Sequence, residues 1–154
     1  MREYKERIFS YALRLLVVRP RSERELERRL RIKFPEDGER ITEVIGRLRK
    51  LGYLNDREFT RMWIEERIRM HPEGREKIRR ELRDKGVSRE LIDELLEELY
   101  PPDKEREVME ELGRRKWERD AGVEVRKRKE RVYRYLLYRG FPVSWVNQFV
   151  SSLK

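Results

Sequence analysis

One pattern of two short amphipathic helices occurs three times in this 154-residue chain. Its clearest copy lies at residues 76–99, where apolar residues recur every three or four positions on both sides of Gly86. Gly86 suits the end of the first helix, and Ser88 suits the N-cap of the second. Two amphipathic helices joined by so short a turn must fold against each other to bury their apolar faces.

The pattern returns 54 residues later and, with one extra residue in its turn, 52 residues earlier. In the later copy Gly140 takes the place of Gly86, and the equivalent apolar positions hold Val132, Leu136, Phe141, Trp145, Val146, Phe149, Val150 and Leu153. The threefold repeat predicts an all-α fold, an elongated curved array of three tandem three-helix repeats. Their expected boundaries are 1–55, 56–100 and 103–154, the third repeat being basic and divergent.

Capping signals place the helix starts within these repeats. Ser22 and Glu25 form an S-x-x-E capping box, and Asn55 or Asp56 suits the N-cap of the next repeat's first helix. Asp103 is the expected cap after the two prolines at 101 and 102. The basic helix of the third repeat is expected at 123–139.

Composition limits the size of the core and indicates the charge of a partner. Hydrophobic residues make up 37% of the chain and charged residues 46%, which fits thin helices that each bury one apolar stripe. Such charge is also typical of disordered chains, but here the apolar residues are periodic. The formal net charge of +9 favours an acidic partner, nucleic acid first among them. Charge-rich surfaces also mark proteins from hot environments, so both explanations stay open.

Targeting signals and cysteines are missing from the sequence. The chain has no cysteine, which is typical of proteins in a reducing compartment. No apolar run approaches the ~20 residues that span a bilayer, and no signal-peptide core follows the N-terminus. We therefore expect a cytoplasmic protein that does not bind a membrane.

The sequence carries no motif of a known catalytic site. It lacks a glycine-rich phosphate loop, a His-Glu-x-x-His motif and a nucleophile elbow. The single histidine, His71, precedes a proline in a turn and is expected to be exposed. The acidic pairs Glu97–Glu98 and Glu110–Glu111 lie on amphipathic helices and are expected to face solvent. We predict that the protein is not an enzyme and needs neither a metal nor a cofactor.

The basic helix of the third repeat differs from its counterpart in the second. At positions expected to be solvated, the second repeat has Arg79, Glu81, Arg83 and Asp84, whereas the third has Tyr133, Tyr135, Leu137 and Tyr138. Cations surround these rings, so the candidate binding residues are Arg126, Lys127, Lys129, Arg131, Tyr133, Arg134 and Tyr138. Aromatic residues among cations suit a surface that contacts nucleic acid or an acidic protein. This interpretation predicts that the rings of Tyr133 and Tyr138 are substantially exposed. Alternatively, the tyrosines pack on the second repeat or on the preceding helix.

The order and spacing of several runs resemble the RecX family of RecA regulators. The runs are Tyr-Ala-Leu-Arg-Leu-Leu at 11–16, Arg-Pro-Arg-Ser-Glu-Arg-Glu-Leu at 19–26, Leu-Gly-Tyr-Leu-Asn-Asp at 51–56, Gly-Arg-Glu-Lys-Ile-Arg-Arg-Glu-Leu-Arg-Asp-Lys-Gly-Val at 74–87 and Leu-Tyr-Arg-Gly-Phe at 137–141. Two departures are visible. The turn at 34–38 lacks the Lys-Gly that the family usually shows there, and the first helix of the third repeat is divergent.

The resemblance implies both a fold and a role. It implies an all-α array of three-helix repeats without a cofactor, acting as a monomer in the groove of the RecA–DNA filament. There it would modulate, and in the main inhibit, the recombinase and its ATPase activity, with a role in DNA repair, recombination and the SOS response. The alternative is a stand-alone basic helical protein that binds DNA without a recombinase partner. Direct DNA contact is an open point in either case.

Overall fold

The computed structural model describes residues 2–154. These residues form nine α-helices and no strand, which confirms the all-α prediction. In chain order the helices are α1 (Arg2–Val18), α2 (Glu23–Lys33), α3 (Gly38–Lys50), α4 (Asp56–Arg69), α5 (Arg75–Asp84), α6 (Arg89–Leu99), α7 (Pro102–Arg119), α8 (Val125–Tyr138) and α9 (Val143–Ser152). They follow one another in three sets of three, while the repeat boundaries 1–55, 56–100 and 103–154 stay a prediction.

Side-chain caps begin several of these helices where the sequence predicts them. The Glu25 N–H donates to Ser22 Oγ at 3.2 Å, and the Ser22 N–H donates to Glu25 Oε1 at 3.3 Å, so the capping box of α2 is complete. Asn55 Oδ1 accepts the Glu58 N–H at 3.2 Å, and Ser88 Oγ accepts the N–H three residues further on at 3.3 Å. These bonds satisfy backbone donors that have no partner within the helix.

Two helix starts in the third repeat differ from the prediction. Pro101 is the N-cap of α7 and Pro102 its first residue, so the predicted cap at Asp103 is wrong. Proline suits the first helical position because it lacks an N–H that would be left without a partner there. Asp103 instead lies in the first turn, where its carboxylate meets the positive end of the helix dipole. Helix α8 begins two residues later than predicted, with Glu124 as its N-cap.

The short turns of the second and third repeats share one backbone conformation. Gly86 has a φ of +80° and Gly140 a φ of +86°, both in the left-handed region. Glycine reaches this region without the steric cost that a Cβ would add. The glycine turns predicted from the repeat are therefore confirmed at both positions.

The chain divides into two compact units. Unit 1 comprises Met1–Thr60 and Leu82–Leu91, and unit 2 comprises Arg61–Glu81 and Ile92–Lys154. The core of unit 1 includes Ile8, Phe9, Ala12, Leu26, Leu30, Phe34, Ile41, Val44, Ile45, Leu48 and Leu54. One core cluster of unit 2 consists of Met109, Val132, Leu136, Phe141 and Val146, with half-buried neighbours packed around it. Each helix thus buries a single apolar stripe, as the composition predicts.

In unit 1 the turn between α5 and α6 packs against the start of α2. The buried Ser22 hydroxyl donates to the Lys85 carbonyl, and Lys85 Nζ lies 3.1 Å from Glu25 Oε2. Burial alone would raise the pKa of Glu25, but hydrogen bonds from Arg19, Lys85 and Ser22 outweigh it and hold that pKa below its ordinary value. Gly86 leaves room for the Arg24 side chain, whose Cδ would lie 2.3 Å from a Cβ at this position.

In unit 2 the loop before α5 is hydrogen-bonded to α7 and to the turn between α8 and α9. The Gly74 N–H donates to the Arg139 carbonyl at 2.8 Å, and the Arg75 N–H donates to Glu105 Oε2 at 2.8 Å. Glu105 is buried, which raises the pKa of its carboxyl group despite the bond from Arg75. A Cβ on Gly74 would lie 2.0 Å from the Gly140 carbonyl oxygen, so the two backbones meet at a glycine-only contact.

Candidate contact surface on helix α8

The seven candidate binding residues all lie on α8, and we call them together the α8 surface. They are Arg126, Lys127, Lys129, Arg131, Tyr133, Arg134 and Tyr138. The helix buries Val132 and Leu136 in the core of unit 2. At 3.6 residues per turn, Lys127, Arg134 and Tyr138 fall on its opposite side, and all three are exposed.

Most cations of the α8 surface have no carboxylate partner. Within residues 2–154, no ion pair involves Arg126, Lys127, Lys129 or Arg134, and Arg131 lies 3.9 Å from Asp120 Oδ1. In the equivalent helix of the second repeat, Arg79 pairs with carboxylates at positions 76 and 93. Unneutralised cations one or two turns apart create a local positive potential that attracts acidic groups.

Tyr138 presents an exposed ring at the C-terminal end of the α8 surface. Its exposed fraction is 77%, which confirms the prediction for this residue. Lys77 Nζ, from helix α5, lies 4.6 Å from the centre of the ring and donates to the Tyr138 carbonyl at 3.2 Å. The ammonium group therefore adds a cation–π contact and a further positive charge to this end of the surface.

Tyr133 does not match the prediction of two exposed rings. It is half-buried and packs against the core of unit 2, as the packing alternative expects. Its ring lines a shallow groove together with Lys129, Arg134 and Val150, so part of it stays accessible. The contact-surface hypothesis therefore fits Tyr138, which is exposed, and the packing alternative fits Tyr133, which packs against the core.

The other two positions at which α8 replaces a charge of the second repeat are also half-buried. Tyr135 and Leu137 pack against the core of unit 2, and Lys116 and Arg139 each lie 5.6 Å from the Tyr135 ring centre. The comparison of repeats also expected solvated charges at Arg79 and Glu81, but both are half-buried. Equivalent positions in two repeats differ in exposure because each repeat has different neighbours.

Two carboxylates meet beside Lys77 inside unit 2. Arg67 Nε lies 3.0 Å from Glu81 Oε2 and 3.7 Å from Glu73 Oε2, while Lys77 Nζ lies 3.7 Å from Glu73 Oε1. Burial and the neighbouring Glu73 carboxylate raise the pKa of Glu81 to about 7, against the opposing effect of Arg67. A buried carboxyl beside another carboxylate favours its protonated form because two adjacent negative charges repel each other. The cation that touches Tyr138 thus also contacts Glu73, the carboxylate that helps to raise the pKa of Glu81.

Lys77 is the residue of this site that the sequence does not reveal. It contacts Tyr138 across 61 positions of the chain, and no motif or spacing pairs them. In the repeat alignment Lys77 corresponds to Arg131, which indicates only that both helices carry a cation there.

His71 is exposed, which confirms the prediction for the single histidine.

Residues 2–154 hold neither a candidate metal site nor a candidate membrane span. Across the part of the chain that the structure describes, no group of three or more His, Asp or Glu side chains is placed to hold a metal ion. None of the helices in that part combines the length and apolar character needed to cross a bilayer.

Three family models match the chain in order. They describe the first, second and third three-helix domains of RecX and match residues 9–48, 55–96 and 103–150, respectively. Together these matches cover most of the chain.

Several curated relatives bear the name regulatory protein RecX. The protein from Caldanaerobacter subterraneus subsp. tengcongensis is 31% identical over 92% of this chain and 68% of its own length. The protein from Streptomyces coelicolor is 34% identical over 88% of this chain and 71% of its own length. The Oceanobacillus iheyensis protein is 28% identical over 94% of this chain, which spans only 53% of that relative.

Solved structures show the same fold. The crystal structure of RecX from Lactobacillus salivarius superposes with a TM-score of 0.79 at 22% identity, covering 99% of this chain and 98% of that one. A second crystal structure of a regulatory protein RecX gives a TM-score of 0.78 at 23% identity, covering 96% of this chain and 73% of that one. With three domain models matched in order and relatives above 30% identity, this chain belongs to the RecX family of regulatory proteins.

Proposed function

We propose that this protein binds the RecA–DNA filament and inhibits the recombinase and its ATPase activity, with a role in DNA repair and recombination. Family membership supports a regulatory role. The observation that carries the proposal is that Arg126, Lys127, Lys129 and Arg134 lie together on α8 with no ion pair within residues 2–154. The proposal also takes the protein to act as a monomer in the cytoplasm.

The α8 surface suits a partner that is both acidic and large. Its free cations would raise the rate of encounter with phosphates or acidic side chains, and the rate would fall as salt screens the charges. The exposed Tyr138 ring offers a stacking or pocket-filling contact, which acts mainly on the lifetime of the complex. A filament of protein and nucleic acid presents both kinds of group along one surface.

Inhibition follows if the protein binds one state of the filament better than the others. A bound protein shifts an equilibrium only by its difference in affinity between two states. Preferential binding to a state that does not turn over would slow ATP hydrolysis and strand exchange without any catalytic group on this chain. This mechanism requires a surface rather than an active site.

The direct test is an ATPase and strand-exchange assay with the RecA-type recombinase of the same organism. We expect both rates to fall as this protein is added up to a stoichiometric amount. Unchanged rates at stoichiometric protein would contradict the proposal. Following filament length in the same reactions would distinguish capping of growth, blocking of hydrolysis and displacement of monomers.

The same unpaired cations also favour a second candidate function, a stand-alone DNA-binding protein. Phosphate contacts would then supply nearly all of the affinity, so binding to naked DNA would be tight and would weaken steeply with salt. Binding to the filament would be no tighter than binding to the DNA alone. A side-by-side titration of both ligands distinguishes the two functions.

A further inference from the structure

Unit 2 also has a concave surface that contains none of the seven residues of the α8 surface. It is an open cleft lined by the start of α5, the start of α7 and the turn from α8 to α9, and we call it the α5–α9 cleft. Its apolar wall includes the buried Phe141, the half-buried Leu137 and Trp145, and Val143, whose exposed fraction is 53%. Together with the wall it adjoins, Val143 forms an apolar patch that can contact a partner.

Hydrogen bonds and one close backbone contact fix the segments that line the cleft. The Gly74 N–H donates to the Arg139 carbonyl, and Glu105 accepts the Arg75 N–H, each at 2.8 Å. The close approach of Gly74 to the Gly140 carbonyl fixes the same corner, because even a methyl group would not fit between them. A binding surface that is formed in advance loses little entropy when it is occupied.

Two cations stand beside the apolar wall. Arg80 is exposed and has no ion pair within the described residues, 2–154. Arg75 is largely buried; its Nε has no hydrogen-bond partner there, and one guanidinium nitrogen lies 3.3 Å from the exposed Glu97. The two carboxylates of the cleft are already engaged, Glu76 with Arg79 and Glu105 with the Arg75 N–H. Arg80 is therefore the one cation of the cleft that no carboxylate within residues 2–154 neutralises.

We propose that the α5–α9 cleft binds a segment of the protein partner that places an apolar side chain on Val143 and Leu137 and a neighbouring carboxylate on Arg80 and Arg75. This inference deepens the proposed function, on which it rests, by assigning the protein part of the filament to residues other than the seven of the α8 surface. The unpaired Arg80 complements an acidic residue, and the apolar wall complements the side chain beside it.

The shape of the cleft favours a protein segment over a nucleic acid. Bases bind by stacking on exposed ring faces, but Arg106 lies over the Trp145 ring, with its guanidinium carbon 5.6 Å from the ring centre. Pro102 and Pro142 also line the cleft, and they offer neither an aromatic ring nor a backbone donor. An aliphatic or aromatic side chain of a peptide fills such a concave surface, whereas a phosphate backbone gains little from it.

Matched variants test the cleft in the full-length protein. Arg80→Glu is compared with Arg83→Glu, which makes the same change of charge at an exposed arginine of the same helix. Val143→Asp is compared with Val18→Asp, an exposed valine of unit 1. Circular dichroism confirms that each variant is folded. The readouts are the dissociation constants for the RecA–DNA filament and for the naked DNA.

We expect Arg80→Glu and Val143→Asp each to weaken filament binding by about tenfold, which corresponds to about 1.4 kcal/mol. Their controls should lose less than about threefold, and neither cleft variant should differ from its control on naked DNA. Equal losses in variant and control on the filament would overturn the cleft proposal while leaving the proposed function intact. A cleft-specific loss on naked DNA would overturn it in favour of nucleic acid.

A second probe keeps the test decisive if the wild-type protein does not bind the filament, a result that would contradict the proposed function itself. A fluorescein-labelled peptide, Ser-Asp-Phe-Glu-Asp-Leu-Glu-Ser, is titrated with the protein. We expect saturable binding with a dissociation constant below about 1 mM, lost in Arg80→Glu and kept in Arg83→Glu. Absence of saturable binding, or equal binding of a peptide with lysine in place of each acidic residue, would overturn the cleft proposal.

Discussion

The ammonium group of Lys77 lies 4.6 Å from the centre of the Tyr138 ring and donates a hydrogen bond to the carbonyl of the same residue at 3.2 Å. One cation of α5 thus binds the last turn of α8, where the helix dipole is negative. The same group lies 3.7 Å from Glu73 Oε1. Lys77 therefore connects the exposed aromatic residue of the α8 surface with the buried carboxylates of unit 2.

Tyr138 and Tyr133 should respond differently to truncation. Tyr138→Ala is expected to change the free energy of unfolding by no more than about 0.5 kcal/mol, because the ring is exposed. Its effect on filament binding should be larger, about 2 kcal/mol, if the ring is an anchor. Tyr133→Ala should cost about 2 kcal/mol of stability, since its half-buried ring packs on the core. Urea denaturation and filament titration measure the two effects; equal stability losses at both positions would contradict this division.

Removing two cations of the α8 surface should reduce the salt dependence of DNA binding. In Lys127→Gln/Arg134→Gln, both substituted residues are exposed and have no ion pair within residues 2–154. Each lost phosphate contact should lower the slope of log K against log salt by about 0.9. Arg114→Gln/Arg115→Gln is the matched control, because both arginines already pair with Glu111. Identical slopes for the two double variants would show that Lys127 and Arg134 make no phosphate contact.

The shared environment of Glu73 and Glu81 should make stability depend on pH. The pKa of Glu81 is about 7 in the folded protein, above the unfolded value near 4.5. Its contribution is therefore complete below about pH 4.5 and is lost as the pH rises through 7. Glu81→Gln removes this loss, so from pH 4.5 to pH 8 the variant should gain on the order of 2 kcal/mol relative to wild type, a figure reduced because solvent partly screens the carboxylate.

Urea denaturation at several pH values measures this change. Glu66→Gln, at an exposed position of α4, is the control and should follow the wild-type pH profile. If the difference between Glu81→Gln and wild type stayed constant from pH 4.5 to pH 8, the raised pKa would be wrong. The comparison uses differences between proteins, so that titration of the other carboxylates cancels.

Gly74 and Gly46 should give opposite results when replaced by alanine. A Cβ at Gly74 would lie 2.0 Å from the Gly140 carbonyl oxygen, a backbone atom that can move only if the hydrogen bond to Arg139 is disturbed. We expect Gly74→Ala to destabilise the fold by about 2–3 kcal/mol. Gly46 lies within α3 with nothing within 4 Å of an added Cβ. Gly46→Ala should therefore stabilise the protein by about 0.5–1 kcal/mol, and a gain at both positions would contradict the close contact.

Local features of the fold could be predicted because they depend on neighbouring residues. The capping box of Ser22 and Glu25 and the turn glycines at 86 and 140 are fixed by sequence spacing and backbone conformation, and the structure confirms them. The cap at Asp103 failed because proline at the first helical position is an equally good start. The apolar periodicity predicts the helices and their buried faces. Where a helix begins depends on whether a capping side chain or a proline sets its first residue.

Features that join distant segments could not be predicted in the same way. The half-burial of Tyr133 depends on the neighbours of α8, and a comparison of repeats assumes equal neighbours. The contacts of Lys77 with Tyr138 and of Arg67 with Glu81 join different helices without any motif. Spacing on one helix therefore identified the α8 surface, while its partner on α5 and the α5–α9 cleft required the fold.

The most direct test of the central claim is co-sedimentation with recombinase filaments at a salt concentration that abolishes binding to the naked DNA. We expect this protein to pellet with filaments assembled on DNA with a slowly hydrolysed ATP analogue, and to stay in solution with the DNA alone or with the free recombinase. Phosphate contacts alone cannot give this result, because they weaken equally on both ligands as salt rises. Equal sedimentation with filament and naked DNA, falling together with salt, would contradict filament recognition and support a stand-alone DNA-binding protein.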